Sequence, residues 1–139
     1  MAVATAAAPT LGARTHSPRR RLLIIVAGAA AAALIWAVAV PATGGQLLVR
    51  FGSGAPQAVS LEFVLAGSLT APLLGWALLA WLERRTSQAR TVWTRIAALL
   101  LLVSFALPLA AGISTSTKLT LLLMHGVVGS VVIVGLRQS

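Results

Sequence analysis

The chain contains no cysteine and only two acidic residues, Glu62 and Glu83, in 139 positions. Without thiols it has no disulfide staples, no thiolate metal ligands and none of the quinone-linked thiol redox chemistry of some small four-helix membrane proteins. Charged residues of either sign make up 9% of the chain, against about 25% in a soluble domain. So little charge cannot cover a water-exposed globule. That excludes a soluble enzyme, a disordered chain and a nucleic-acid-binding domain. The chain is instead apolar, 58% hydrophobic with a mean hydropathy of +0.95.

Four apolar runs take up over half the sequence. They lie at residues 22–40, 59–82, 92–113 and 119–136. At about 20 residues per crossing each is long enough to span a bilayer. The first follows Arg19-Arg20-Arg21 and stops at Pro41. A signal peptide competes for this segment, with Ala37-Val38-Ala39 as a cleavage site. The apolar run exceeds the usual 7–15 residues of such a peptide, and Ile35-Trp36 stands where it should thin out. We therefore read it as a retained helix. Residues 1–18 lack apolar periodicity and read as a flexible cytoplasmic tail, with His16 an exposed side chain. Residues 19–139 form one transmembrane domain. The connections after residue 82 are short, so sequential helices should be antiparallel neighbours, giving an all-α, up-down-up-down four-helix bundle. Residues 41–57 are turn-rich at both ends around Leu47-Leu48-Val49-Arg50-Phe51, and predict a structured loop with a short extended segment on the membrane surface.

The net charge of +9 is distributed as an orientation signal, because the basic residues flank the apolar runs. Arg14, Arg19, Arg20, Arg21, Arg84, Arg85, Arg90, Arg95 and Arg137 fall on one side, and Arg50 and Lys118 on the other. That split places both termini in the cytoplasm of a multi-pass plasma-membrane protein. Trp81 and Trp93 flank the cytoplasmic loop at headgroup depth, Trp36 lies near the outer end of the first helix, and Trp76 packs deeper between helices.

Inside a bilayer the ionisable residues are the first candidates for function. Glu62 opens the second helix, where a carboxylate complements the helix dipole and can pair with Arg50 or Lys118. His125 is the one ionisable residue well inside the fourth helix. Its plain structural reading is an imidazole bonded to a neighbouring carbonyl or serine, and its functional reading is a proton or ligand site. Glu62, Lys118 and His125 together form the candidate polar site, in the outer half of the bundle. Small residues mark the packing faces: Gly67, Ala71 and Gly75 on the second helix, Gly126, Gly129 and Ser130 on the fourth, and Gly28 and Ala32 on the first. Pro72 and Pro108 free the carbonyls of Ser68 and Ser104, and nearby serine hydroxyls or water are the expected replacement partners. No catalytic, cofactor or metal site emerges.

The run Gly75-Trp76-Ala77-Leu78-Leu79-Ala80-Trp81-Leu82-Glu83-Arg84-Arg85, followed by Trp93, resembles the centre of a family of small actinobacterial membrane proteins classed as a domain of unknown function. Leu47-Leu48-Val49-Arg50 and Met124-His125 extend the resemblance over residues 20–137. It implies a four-helix membrane protein and transfers no activity. From the residues themselves we expect a structural or accessory protein, not an enzyme, without a cofactor. Its partners would be membrane lipids, other membrane proteins or further copies of itself, and no nucleic acid. The alternative is a small transporter or channel acting as an oligomer. Small multidrug exporters are also four-helix proteins of this length, but they carry a deep Glu in the first helix, where this chain has none.

Overall fold

The computed structural model describes residues 18–139, so the predicted tail, including His16, lies outside the described residues except for Pro18. Helix α1 covers Pro18–Ala42, strands β1 and β2 Leu48–Val49 and Gln57–Ala58, and α2 Leu61–Glu83. Helix α3 covers Ala89–Ser104, α4 Ala106–Ala111 and α5 Thr115–Gln138. Four helical spans are long and apolar enough to cross a membrane: α1, α2, α3 with α4 as one span, and α5. The first and fourth spans extend up to four residues beyond the predicted bounds at both ends, because their flanking Arg, Ser and Thr residues are compatible with helix. By contrast α2 begins two residues inside its predicted bound and the third span ends two residues short, where Val59 and residues 112–113 belong to the hairpin and its edge. Pro18 opens α1, where its missing N–H costs nothing. Ser60 and Ser114 cap α2 and α5, their hydroxyls accepting from the backbone N–H of Phe63 at 3.2 Å and of Thr117 at 3.1 Å. The short polar connection at residues 114–118 is therefore mostly the first turn of α5.

The third span departs from the expected single helix. It breaks at Phe105, whose N–H bonds the Leu102 carbonyl in a tighter turn at 3.3 Å, and α4 follows with Pro108 inside it. Proline cannot donate to the Ser104 carbonyl, so the α-helical ladder is interrupted just before it. The serine hydroxyls do not replace the lost donors as expected. Ser68 donates to the Val64 carbonyl at 2.7 Å and Ser104 to the Leu101 carbonyl at 2.7 Å, each one turn back along its own helix.

The segment between α1 and α2 is a β-hairpin that plugs one end of the bundle. Leu48 pairs with Ala58 and Val49 with Gln57. On its other edge β1 meets the chain leaving α4, with Arg50 N–H to the Ala111 carbonyl at 2.8 Å and Ile113 N–H to the Leu48 carbonyl at 3.1 Å. Gly52, at φ +58°, makes the hairpin turn. Leu47 and Val49 are buried against Ala32, Val59, Val64, Ala111 and Met124. The extended segment thus points its apolar side chains into the bundle. Trp36 ties α1 to this plug, its indole N–H donating to the Val59 carbonyl at 2.7 Å.

The other end holds the chain's terminal charges. Arg21 near the start of α1, Glu83 at the end of α2, Arg90 near the start of α3 and Ser139 after α5 meet there. The Arg21 guanidinium grips Glu83 through two N–H···O bonds of 2.8 and 3.2 Å, and its Nε–H donates to Ser139 Oγ at 3.0 Å. Arg90 donates to the Ser139 carbonyl at 2.8 Å. Arg21 is only 3% exposed. Burying a guanidinium is tolerable because a carboxylate and a hydroxyl take up its donors.

Candidate functional site

Helix α1 packs tightly on α5 and α2, and α3 packs more loosely on α2 and α5. The cause lies at Trp93. Its side chain is 1% exposed, wedged among Leu79, Leu82, Ala89, Val132 and Leu136. The indole N–H donates to the Gly75 carbonyl of α2 at 2.7 Å. A Cβ added at residue 75 would meet the Trp93 ring at 3.7 Å, an ordinary van der Waals contact, so the ring packs directly on this part of α2. The expected headgroup position of Trp93 is therefore corrected: a carbonyl of α2 satisfies its polar atom, so it needs no water. Trp81 is 54% exposed, with the Arg85 guanidinium 5.6 Å from its ring centre.

Beyond the Trp93 wedge, toward the hairpin, a cleft of about 480 Å³ opens between α2, α3 and α5. Its α2 wall runs from Phe63 through Gly67, Ala71 and Gly75 to Leu78. Ile96, Ala97, Leu100 and Leu101 form the α3 wall, and Met124, His125, Val128 and Gly129 close the back. Not one lining residue carries a formal charge with the imidazole neutral. The hydroxyls of Ser68 and Ser104, also on the wall, are committed to backbone carbonyls. Leu100 is 61% exposed, so the cleft communicates with the surroundings through its α3 lip.

The predicted small-residue faces divide. Gly129 meets Leu101 so closely that an added Cβ would overlap its side chain, and Gly126 lies 3.9 Å from the Phe105 ring by the same measure. Gly28 meets Val128 and Val132 of α5. Gly67 faces no helix, since a Cβ there would find nothing within 4 Å, and both Gly67 and Ala71 are exposed along the cleft. Ser130 is exposed on a shallow groove of α5 beside Leu123 and Val127. For these three the expected packing is corrected: Gly67 and Ala71 line the cleft, and Ser130 lies on an outer face of α5.

The predicted polar site does not assemble. Glu62 is exposed in the first turn of α2, consistent with the dipole reading, and among the described residues it pairs with neither Arg50 nor Lys118. Lys118 lies in the first turn of α5, its side chain packed over Gly112. His125 does line the cleft. A carbonyl can only accept, so its Nδ1–H donates to the Leu121 carbonyl at 2.8 Å. That leaves Nε2 of the neutral ring as an acceptor.

A model built for a family of unknown function (DUF6069) matches residues 12–139, taking in all four spans and the hairpin. The chain belongs to that family. No curated protein and no solved structure matches it. Within this family member, sequence reasoning missed the Arg21–Glu83 pair and the cleft. The signal for the first was present: one of only two acids stands at a helix end on the same side as an arginine run. The cleft had no such signal, because its small residues have the same spacing as packing residues.

Proposed function

We propose that this is a multi-pass plasma-membrane protein with alternating helices and both termini in the cytoplasm, acting without catalysis as an accessory protein that takes an apolar membrane component into its side cleft. The cleft carries the reading. A concave site of about 480 Å³ falls within the 300–1,000 Å³ usual for ligand pockets, and its lining is almost wholly apolar. Chemistry on a bound molecule has little support there, since Glu62 lies outside the lining and Glu83 is engaged by Arg21 at the terminal end. The orientation rests on the distribution of arginines, which crowd the end where Arg21, Glu83, Arg90 and Ser139 meet.

A photoreactive residue placed at Leu100, on the cleft lip, tests the reading in native membranes. Leu34 of α1 is as exposed, at 67%, and lies off the cleft. A discrete adduct from position 100 and none from position 34 is expected. Identical labelling from both positions would show the cleft to be unremarkable lipid-facing surface. His125 on the cleft wall favours the second reading, a small oligomeric transporter or channel, and is taken up in the Discussion.

A further inference from the structure

We propose that the molecule taken into the cleft is a neutral, largely hydrocarbon compound carrying a hydroxyl group, and that His125 Nε2 accepts a hydrogen bond from that hydroxyl. This rests on the cleft being a binding site and adds the chemical class of its ligand.

The cleft wall holds four side chains with polar hydrogens, Ser68, Trp93, Ser104 and His125. Each of those hydrogens is already committed to a backbone carbonyl. Ser68 donates to Val64 at 2.7 Å, Trp93 to Gly75 at 2.7 Å, Ser104 to Leu101 at 2.7 Å and His125 Nδ1–H to Leu121 at 2.8 Å. The wall therefore has no donor to spare, whereas it has several acceptors. Pro72 and Pro108 give no N–H to the carbonyls of Ser68 and Ser104. The two serine oxygens keep lone pairs, and so does Nε2 of the neutral imidazole.

Nε2 is the acceptor open to a ligand. Among the described residues it has no hydrogen-bond partner, and no buried side-chain nitrogen or oxygen goes without one. Nε2 therefore lies at an accessible surface. That surface is the cleft, because Leu121, Val128 and Val132, on the same line of α5 as His125, line it too. The shallow groove on the outside of α5 is lined by none of these residues. The serine acceptors stand at a similar depth. Gly126, next to His125, faces the ring of Phe105, next to Ser104. Val64 shares a buried cluster with Met124, which puts Ser68, one turn further along α2, within about a turn of His125.

An apolar cleft with acceptors and no free donor sorts molecules by their polar groups. A ketone, ester or ether brings only acceptors and gains no hydrogen bond. A phosphate or carboxylate meets no cation in the lining, and an ammonium meets no carboxylate, so each would be an uncompensated charge in an apolar site. A hydroxyl supplies the missing donor without charge. A serine or threonine on a partner helix is a poor substitute, for Ser68, Thr94 and Ser104 all spend their hydroxyl hydrogens on carbonyls of their own helices. The hydroxyl of a small molecule has no such carbonyl at hand.

The test uses the purified full chain in phosphatidylcholine vesicles with matched photoreactive probes, a long-chain alcohol and its methyl ether, each carrying a diazirine at the same chain position. Labelled residues are mapped by peptide mass spectrometry. Adducts on the walls at residues 67–78 and 96–101 should be about fivefold more abundant from the alcohol, the preference that one net hydrogen bond confers. A second pair, an alkylphenol and its methyl ether, distinguishes an aromatic from an aliphatic hydroxyl by which pair shows the larger preference. His125→Leu should bring alcohol and ether to parity while the wall adducts persist, because the apolar walls are untouched. A further measurement is independent of that variant. In His16→Gln protein with isotope-labelled histidine, nitrogen NMR should show the alcohol shifting the Nε2 resonance of His125 and the ether leaving it in place. Equal wall labelling by alcohol and ether in both pairs, or an Nε2 resonance unmoved by the alcohol, would overturn the hydroxyl assignment and leave the cleft as a site. A preference for the alcohol that survives in folded His125→Leu protein would overturn the role of Nε2. Wall labelling no stronger than labelling around Leu34 of α1, from every probe, would overturn the cleft reading itself. If the adduct formed at position 100 in native membranes proves to be a peptide, the occupant is a partner helix and the hydroxyl assignment fails.

Discussion

Helices α1 and α3 are both long, apolar and flanked by arginines, yet one is sealed into the bundle and the other stands half away from it. On α1, Ile25, Ala29 and Ala32 are buried, and a Cβ added at Gly28 would touch two valines of α5. Across that seam, a Cβ at Gly135 of α5 would come within 2.5 Å of Ile24. On α3 only Ala89 and Trp93 are buried, both within its first five residues. The bilayer supplies no hydrophobic drive to close either seam, because lipid tails are as apolar as leucine. Closeness depends on whether small residues of one helix meet branched residues of the next. On the α1 side they do. On the α3 side Gly129 of α5 meets Leu101 just as closely, but Gly67 and Ala71 of α2 face the cleft, where the Trp93 ring spaces α2 from α3. The same kind of residue makes a seam in one place and a cleft in the other, and the helix opposite decides which.

The largest effect should come from unfastening the charged end of the sealed side. Glu83→Ala leaves the Arg21 guanidinium, 3% exposed, without its carboxylate. Removing one partner of a buried ion pair costs about 3–5 kcal/mol. Arg95→Ala, an exposed arginine on the open side, should stay within about 0.5 kcal/mol of the parent. Thermal denaturation in a single detergent checks both. Equal melting temperatures would mean that the α1 side owes little to this clasp.

A smaller effect separates the two seams directly. Gly135→Leu forces a side chain into the space of Ile24 and should cost about 1–3 kcal/mol, the range for overpacking. Gly67→Leu puts the same side chain into the cleft and should change stability by less than about 0.5 kcal/mol. The comparison breaks if Gly67→Leu is the more damaging of the two, for the cleft would then be closed in the membrane.

Much of this was legible in the residues. Apolar runs and their breaks give four spans because the bilayer fixes their length, and the resemblance carried by residues 75–85, Trp93 and Met124-His125 pointed to the family. Some bounds fell short because helix continues into polar flanks, as at residues 18–21 and 115–118, and others overshot because apolar Val59 and Ile113 belong to the hairpin and its edge rather than to a helix. Leu47 and Val49 were readable as a short extended segment, but not their insertion, which depends on the α4 exit at residues 111–113 offering a strand edge. Trp93 was misplaced because interfacial tryptophans and buried ones look alike in sequence. Only a bare carbonyl at Gly75, reached across the bundle, tells them apart. The polar site was not separable in sequence: Glu62, Lys118 and His125 share one half of the molecule, yet no hydrogen bond or ion pair among the described residues joins them.

His125 should give the smallest effect, and it bears on both readings of function. Its ring hydrogen-bonds within its own helix, to the Leu121 carbonyl, and is only half-buried at the cleft wall. Deleting a donor together with its hydrogen bond is nearly neutral when the acceptor remains within a helical ladder, because no buried group is stranded. His125→Leu also keeps the volume roughly constant and removes the wall's one titratable side chain, which suits an apolar occupant. We expect a melting temperature within the change expected for about 1 kcal/mol and an undiminished adduct from a photoreactive residue at position 100. A transporter that moves protons through the cleft would behave otherwise. His125 is the one side chain on that wall able to take up and release a proton, so in proteoliposomes a pH gradient would drive a flux through the parent and not through His125→Leu. Equal fluxes with an intact cleft leave the histidine outside any proton path and the cleft a place of binding. Loss of a gradient-driven flux in a folded His125→Leu protein would overturn the accessory reading and make the open side of the bundle a pathway.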